Sequence, residues 1–193
     1  MNPIDHPMLA ALLGRQSLGG KHLGEPGPDA AALEAMAAAA LRAPDHAELV
    51  PVRFAVVRGA AREQLAAVFE QAARDAGKDE AAARIDAERA LRAPVTVAVL
   101  ARIDMGHPIV PAHEQWVALG GALANFLNAA HLLGFGGKML SGAKVRHPAV
   151  QAAFCEAGET LVGWVALGTP LAPARPHRPK AAPRDILRDW NPR

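Results

Sequence analysis

Pro94 opens the stretch Val95-Thr-Val-Ala-Val-Leu-Ala-Arg-Ile103, which is apolar at nearly every position. A strand covered on one face alternates apolar with polar residues, whereas a strand covered on both faces reads as a continuous apolar run. The chain must therefore bring material to both sides of a sheet. Helical patterns on either side of this run supply it. A second strand is expected over Val52–Arg58, and two helices, residues 60–77 and 79–93, separate it from the first. The second of these helices is charged on one side and alanine-rich on the other, so it reads as a surface helix.

The remaining elements follow from their stop signals. A short helix is expected from Pro7 to Arg15, with Leu9, Leu12 and Leu13 on one face. Residues 18–28 read as loop from their glycines and prolines. Asp29 suits the N-cap of an alanine-rich helix that Pro44 ends, because the residue before a proline avoids the helical region. A long helix is expected over 112–133, closed by Gly134-Phe-Gly-Gly137. A strand near 138–140, a helix over 148–156 that carries Cys155 as a buried thiol, and a strand over 159–168 complete the body. Strands separated by helices give an α/β or α+β sheet. Residues 1–170 form its domain. Residues 171–193, rich in proline and arginine, form an extended arm without a core of its own.

Bulk properties remove several functions. A formal net charge of +2, with no long basic cluster in the body, gives no case for nucleic acid. The single cysteine excludes an internal disulfide and fits a reducing, cytoplasmic setting. The apolar stretch 116–137 contains Asn125, Asn128, His131 and several glycines, which are costly or weakening at bilayer depth, so it reads as a buried helix and no membrane association is expected. Gly14 to Lys21 approaches a phosphate loop, but its lysine stands one place late and His22 occupies the position of the magnesium-holding hydroxyl. The eight histidines contain no HExxH, and no metal site is expected.

Two short stretches carry chemistry. Arg15 and Ser17 place a guanidinium and a hydroxyl at a helix end, a pairing that can hold a phosphate. Arg42-Ala-Pro-Asp-His46 stops a helix and sets two donor side chains on a rigid support. These stretches occur in order with Pro51 and Phe54, Glu114-Gln115, the Gly134-Phe-Gly-Gly137 turn, Ser141-Gly142 and Leu167-Gly-Thr-Pro170. The ordered set, spanning about residues 8–170, resembles the FMN-dependent nitroreductase family, in particular its short bacterial members.

The resemblance implies a mixed four-to-five-stranded sheet flanked by helices, in an obligate homodimer that exchanges its C-terminal segments. It implies FMN as cofactor, NAD(P)H as hydride donor and a small-molecule acceptor of nitro, quinone or enone type, reduced in a ping-pong cycle. In this reading Arg15, Gln16 and Ser17 hold the phosphate and ribityl end. Arg42 and His46 reach the flavin from the other subunit, and Met139, Leu140, Ser141, Gly168 and Thr169 line the same site. No catalytic side chain is expected, because the flavin carries the chemistry. Gln16 and Leu140 stand where close relatives often have arginine. Lys21, His22, Lys138 and Lys144 are the cations available in their place, with Arg15, Lys21 or His22 expected near the pyrimidine edge. A flavin-binding or flavin-transfer protein with little turnover is the alternative.

Overall fold

The computed structural model describes residues 6–173 and 181–190. Its elements are α1 (Pro7–Leu13), β1 (Leu23–Gly24), α2 (Ala30–Ala40), β2 (Val52–Arg58), α3 (Ala61–Asp75), α4 (Glu80–Ala90), β3 (Val95–Ala101), α5 (Ala112–Leu132), β4 (Gly136–Leu140), α6 (Pro148–Phe154), β5 (Thr160–Pro170) and α7 (Pro183–Ile186). The sheet runs β2, β3, β5; β5 also pairs with β4 and, at its C-terminal end, with β1. Each of these ladders is antiparallel. The parallel component among the described residues is an isolated bridge from Ser17 to Gly137.

β3 is buried at every position, as its unbroken apolar run requires. Its side chains still alternate. Val95, Val97, Val99 and Ala101 join Val165, Leu167 and residues of α2 and α5 in one core. Ala98 and Leu100 join Trp164, Leu161 and residues of α3, α4 and α6 in the other. Each core has an aromatic pair: Phe54 stacks on Phe126 at 4.5 Å between centroids, and Phe69 meets Trp164 edge-on at 4.9 Å. The α+β expectation therefore holds, with helices on both faces of the sheet.

Local signals act where expected. Asp29 and Asp79 each accept the backbone N–H three residues on, at 2.8 Å, and so cap α2 and α4. At the end of α5, Gly134 takes a φ of 87°, and the Phe135 N–H returns to the Ala130 carbonyl at 2.9 Å.

Three readings are corrected. Gly136 and Gly137 belong to β4 and not to the helix stop; a Cβ on Gly136 would lie 2.7 Å from Leu23 and 2.9 Å from Leu18, so close strand approach is what requires glycine there. Part of the 18–28 loop is strand β1, paired to the end of β5. Cys155 lies just past α6, which ends at Phe154, and is half-buried where a buried thiol was expected; its desolvation still pushes the thiol pKa up. α4 is a surface helix whose alanine side turns inward, burying Ala83 and Ala90, and that side also carries a buried carboxylate, Asp86. α1, in contrast, buries none of its residues, its three leucines included.

The arm expected over 171–193 falls partly outside the described residues, which here are 171–173 and 181–190. They include the one-turn helix α7, and Ile186, Leu187 and Trp190 are largely exposed. Among the described residues no helix is long and apolar enough to cross a membrane.

Candidate functional site

Three segments converge at one end of β5. Ser17 bridges Gly137, and the Leu18 N–H donates to the Gly137 carbonyl at 3.1 Å. Gly136 lies opposite Gly168, and Gly24 lies opposite Thr169. The approach is tight, since a Cβ on Gly168 would sit 2.8 Å from Pro94 and 3.0 Å from the Gly24 carbonyl. Of the expected residues, Ser17, Gly168 and Thr169 lie at this end with Arg15 and Gln16 next to them in the chain, while Met139 and Leu140 lie further along β4, opposite Val165 and Trp164, with Ser141 just past it. The Thr169 hydroxyl donates to the Pro26 carbonyl at 2.7 Å, so its side chain is already engaged.

Two cavities open here. One, of about 170 Å³, is lined by Arg15, Gln16, His131 and Gly134–Gly137, among others. The other, of about 280 Å³, lies on the α3–α4 side of the sheet. Its wall includes Lys21, Phe69, Arg89, Arg92, Leu140 and Trp164. Three lining residues are cations, none is a carboxylate, and Phe69 and Trp164 supply aromatic surface. Trp164 is buried, and its indole N–H has no hydrogen-bond partner among the described residues. Cationic groups and aromatic walls together suit a flat ring with acceptors on its edge.

Asp86 lies behind that wall. Its side chain is 1% exposed and accepts from Lys78 at 2.6 Å, Lys144 at 2.9 Å and Arg89 at 2.9 Å. Burial alone would raise its pKa, yet the hydrogen bonds from Lys78 and Lys144 hold it at about 2. Burial pulls Lys144 down, opposed by its bond to Asp86, and its ammonium lies 4.8 Å over the Phe69 ring. Of the four cations expected to substitute at the site, Lys144 is thus committed to Asp86 and Lys21 lines the cavity. His22 and Lys138 are exposed.

Arg89, Arg92 and Asp86 are absent from the residues expected from sequence. One signal was available: Ala83, Asp86 and Ala90 fall at i, i+3 and i+7, which puts the carboxylate on the buried stripe of α4.

Arg42 and His46 lie elsewhere. Arg42 follows α2 and lines a cavity of about 480 Å³ with Pro44, Asp45, Glu48, Val50 and two alanines of α5. His46 Nδ1 lies 2.9 Å from Glu114 Oε2, in the first turn of α5. The backbone just after His46 is strained, with Ala47, Glu48 and Val50 at φ of 64°, 53° and 49°. Asp45 accepts the Val50 N–H at 2.7 Å and helps hold that shape. Arg42 is not part of the wall of either cavity that Arg15 or Leu140 lines. Within one chain the expected residues therefore form two groups. No cluster of three or more potential metal ligands occurs among the described residues.

Residues 15–169 match the Nitroreductase family. Among curated proteins, the Escherichia coli (strain K12) protein named "Putative NAD(P)H nitroreductase YdjA" is 38% identical over 163 residues, covering 84% of this chain and 87% of that one. Among solved structures, a nitroreductase-like family protein from Bacillus cereus superposes with a TM-score of 0.80 at 18% identity, covering 96% of each chain. A Desulfovibrio desulfuricans protein described as a nitroreductase in complex with FMN reaches 0.71 at 20% identity, covering 97% of this chain and 98% of that one.

Proposed function

The chain belongs to the nitroreductase family, and on that premise we propose that it is an FMN-dependent oxidoreductase that takes hydride from NAD(P)H and delivers it to a nitro, quinone or enone-type acceptor. The observation that carries this reading is the cavity beside Leu140, with its three cations and aromatic walls. Bound FMN would supply a ring nitrogen that accepts hydride from one substrate and yields it to the next.

The chain's own residues bind and orient. Arg15, Gln16 and Ser17 hold the phosphate and ribityl end. Met139, Leu140, Ser141, Gly168 and Thr169 form the floor against which the ring lies, with Thr169 acting through its backbone. Lys21, Arg89 and Arg92 favour negative charge on the ring, and such fixed charges act strongly where water is excluded. Phe69 and Trp164 exclude water from one side. No side chain has to serve as acid or base.

The separation of Arg42 and His46 from Arg15 supports a homodimer in which each site draws on both chains. The Glu114 carboxylate orients the His46 ring toward the partner. Trp116 and Val117 on α5 are exposed apolar residues suited to that interface, and the arm with Ile186, Leu187 and Trp190 packs on the second subunit. Sedimentation at micromolar concentration should give twice the chain mass of 20.2 kDa. A monomer over the whole accessible range would remove the two-chain site.

Titration with FMN, followed by quenching of flavin fluorescence, should saturate at one FMN per chain; no saturable uptake would overturn the reading. Arg15→Ala should weaken binding by about 10- to 100-fold, the worth of a charge-assisted contact to phosphate. Mixing the loaded protein with NADH or NADPH under anaerobic conditions should bleach the flavin. Leu140, apolar and exposed where relatives often carry a cation, favours one alternative, a flavin-binding or flavin-transfer protein. FMN uptake without bleaching by either nucleotide would select it.

A further inference from the structure

Resting on the FMN reading above, we propose that Asp86 is a positioning residue that holds Arg89 against the ring cavity and thereby tunes the reduction potential of the bound flavin. Three cations from three places converge on this one carboxylate. Arg89 comes from the next turn of α4, Lys78 from the link between α3 and α4, and Lys144 from the turn after β4. Of the three, Arg89 lines the cavity. Its side chain is 57% exposed, and a long side chain so placed sweeps through solvent unless something holds it. The bond from its Nη1 to Asp86 Oδ1 fixes one edge of the guanidinium and leaves its remaining N–H groups free to address a ligand.

The charge balance gives the anchor a second consequence. One carboxylate against three cations leaves two positive charges uncompensated, and the cavity wall adds Lys21 and Arg92. A positive field binds an electron-rich ring more tightly than the same ring before it gains electrons. That difference in affinity is by linkage a shift in potential. For a two-electron couple, each tenfold preference for the reduced ring raises the potential by about 30 mV. Asp86 also ties the element after β4 to α4, so the two sides of the cavity that carry Leu140 and Arg89 keep their spacing.

The test compares wild type, Asp86→Asn, Arg89→Gln, Lys78→Gln and the Asp86→Asn/Arg89→Gln pair. The readouts are the FMN dissociation constant, the midpoint potential of the bound flavin and the melting temperature. With Asp86→Asn the cations lose their anchor and repel one another into solvent. The expected result is weaker FMN binding and a potential lower by about 30 mV for each tenfold loss of preference for the reduced ring. Arg89→Gln should reproduce the fall in potential, and the pair should add little to either single change. Lys78→Gln removes one of the cluster's charges from outside the cavity wall and leaves Arg89 anchored, so it should lower the potential by less than Arg89→Gln.

A purely structural role would lower the melting temperature of Asp86→Asn and leave the potential where it was, which would overturn the proposal. A rise in potential would overturn it too, since that marks a carboxylate that only neutralises cations already fixed in place. Should Asp86→Asn fail to fold, Arg89→Gln on the exposed face of α4 decides the matter through its potential alone. Failure of the wild-type protein to take up FMN would instead sink the functional reading itself.

Discussion

Glu159→Ala should cost about 3–5 kcal/mol of folding stability, because it strands two guanidinium groups that share one buried carboxylate. The Glu159 side chain is 1% exposed. It accepts from Arg53 Nε at 2.7 Å, Arg102 Nε at 2.6 Å and the Glu156 N–H at 2.8 Å. Arg53 belongs to β2, Arg102 follows β3 and Glu159 precedes β5, so one side chain ties together the ends of three adjacent strands. Urea denaturation would show the loss as a lower midpoint at an unchanged slope. A midpoint within experimental error of wild type would mean that the clasp contributes nothing.

The same clasp sets an acid limit. Hydrogen bonding to Arg53, with help from Glu156 and Arg102 and against the effect of burial, lowers the Glu159 pKa from an ordinary 4.5 to about 2. A depressed carboxylate pKa stabilises the fold fully above the unfolded value, and that stability drains away as pH falls toward the folded one. Asp86, lowered from 3.8 to about 2, acts in the same direction. Stability should therefore decline between about pH 4.5 and pH 2, each carboxylate contributing on the order of 2 kcal/mol. In Glu159→Gln the decline should be shallower over that window. Wild-type stability that stays level from pH 7 to pH 3 would contradict this.

Phe126→Ala should cost a comparable 3–5 kcal/mol, through lost burial and the cavity left behind. Phe126 is 2% exposed and packs α5 on the sheet through Phe54. Phe126→Leu keeps most of the volume and should cost far less than the alanine change. Phe126 is not part of the wall of either cavity at the β5 end. Its variants should therefore bind FMN with near wild-type affinity well below their lowered melting temperatures. Loss of binding in the fully folded Phe126→Leu protein would show that the seat of α5 governs the site.

Much of the architecture could be read in advance, because it rests on interactions within a few residues. The apolar run from Val95 marked the central strand. Asp29 and Pro44 bounded α2, and Gly134 ended α5, each through bonds to its own neighbourhood. The family was also legible, since its marks are short stretches in a fixed order.

Long-range packing settled what those patterns could not. The leucines of α1 share one face of the helix and are exposed, since an amphipathic stripe does not say what will cover it. Gly136 and Gly137 looked like a helix stop, and their need for glycine became visible only when Leu18, Leu23 and Leu167 were in place around them. Arg89 and Arg92 sat on a helix whose charges seemed free for solvent, and the cavity they border exists only because β4 and β5 carry Leu140 and Trp164 to it. Asp86 is the clearest case. Helical spacing could place it on a buried stripe, but an ionised carboxylate survives there only with partners, and Lys144 arrives from the turn after β4, far away in the chain. Short-range chemistry is written along the chain, while the fate of a charge depends on which distant groups the fold delivers to it.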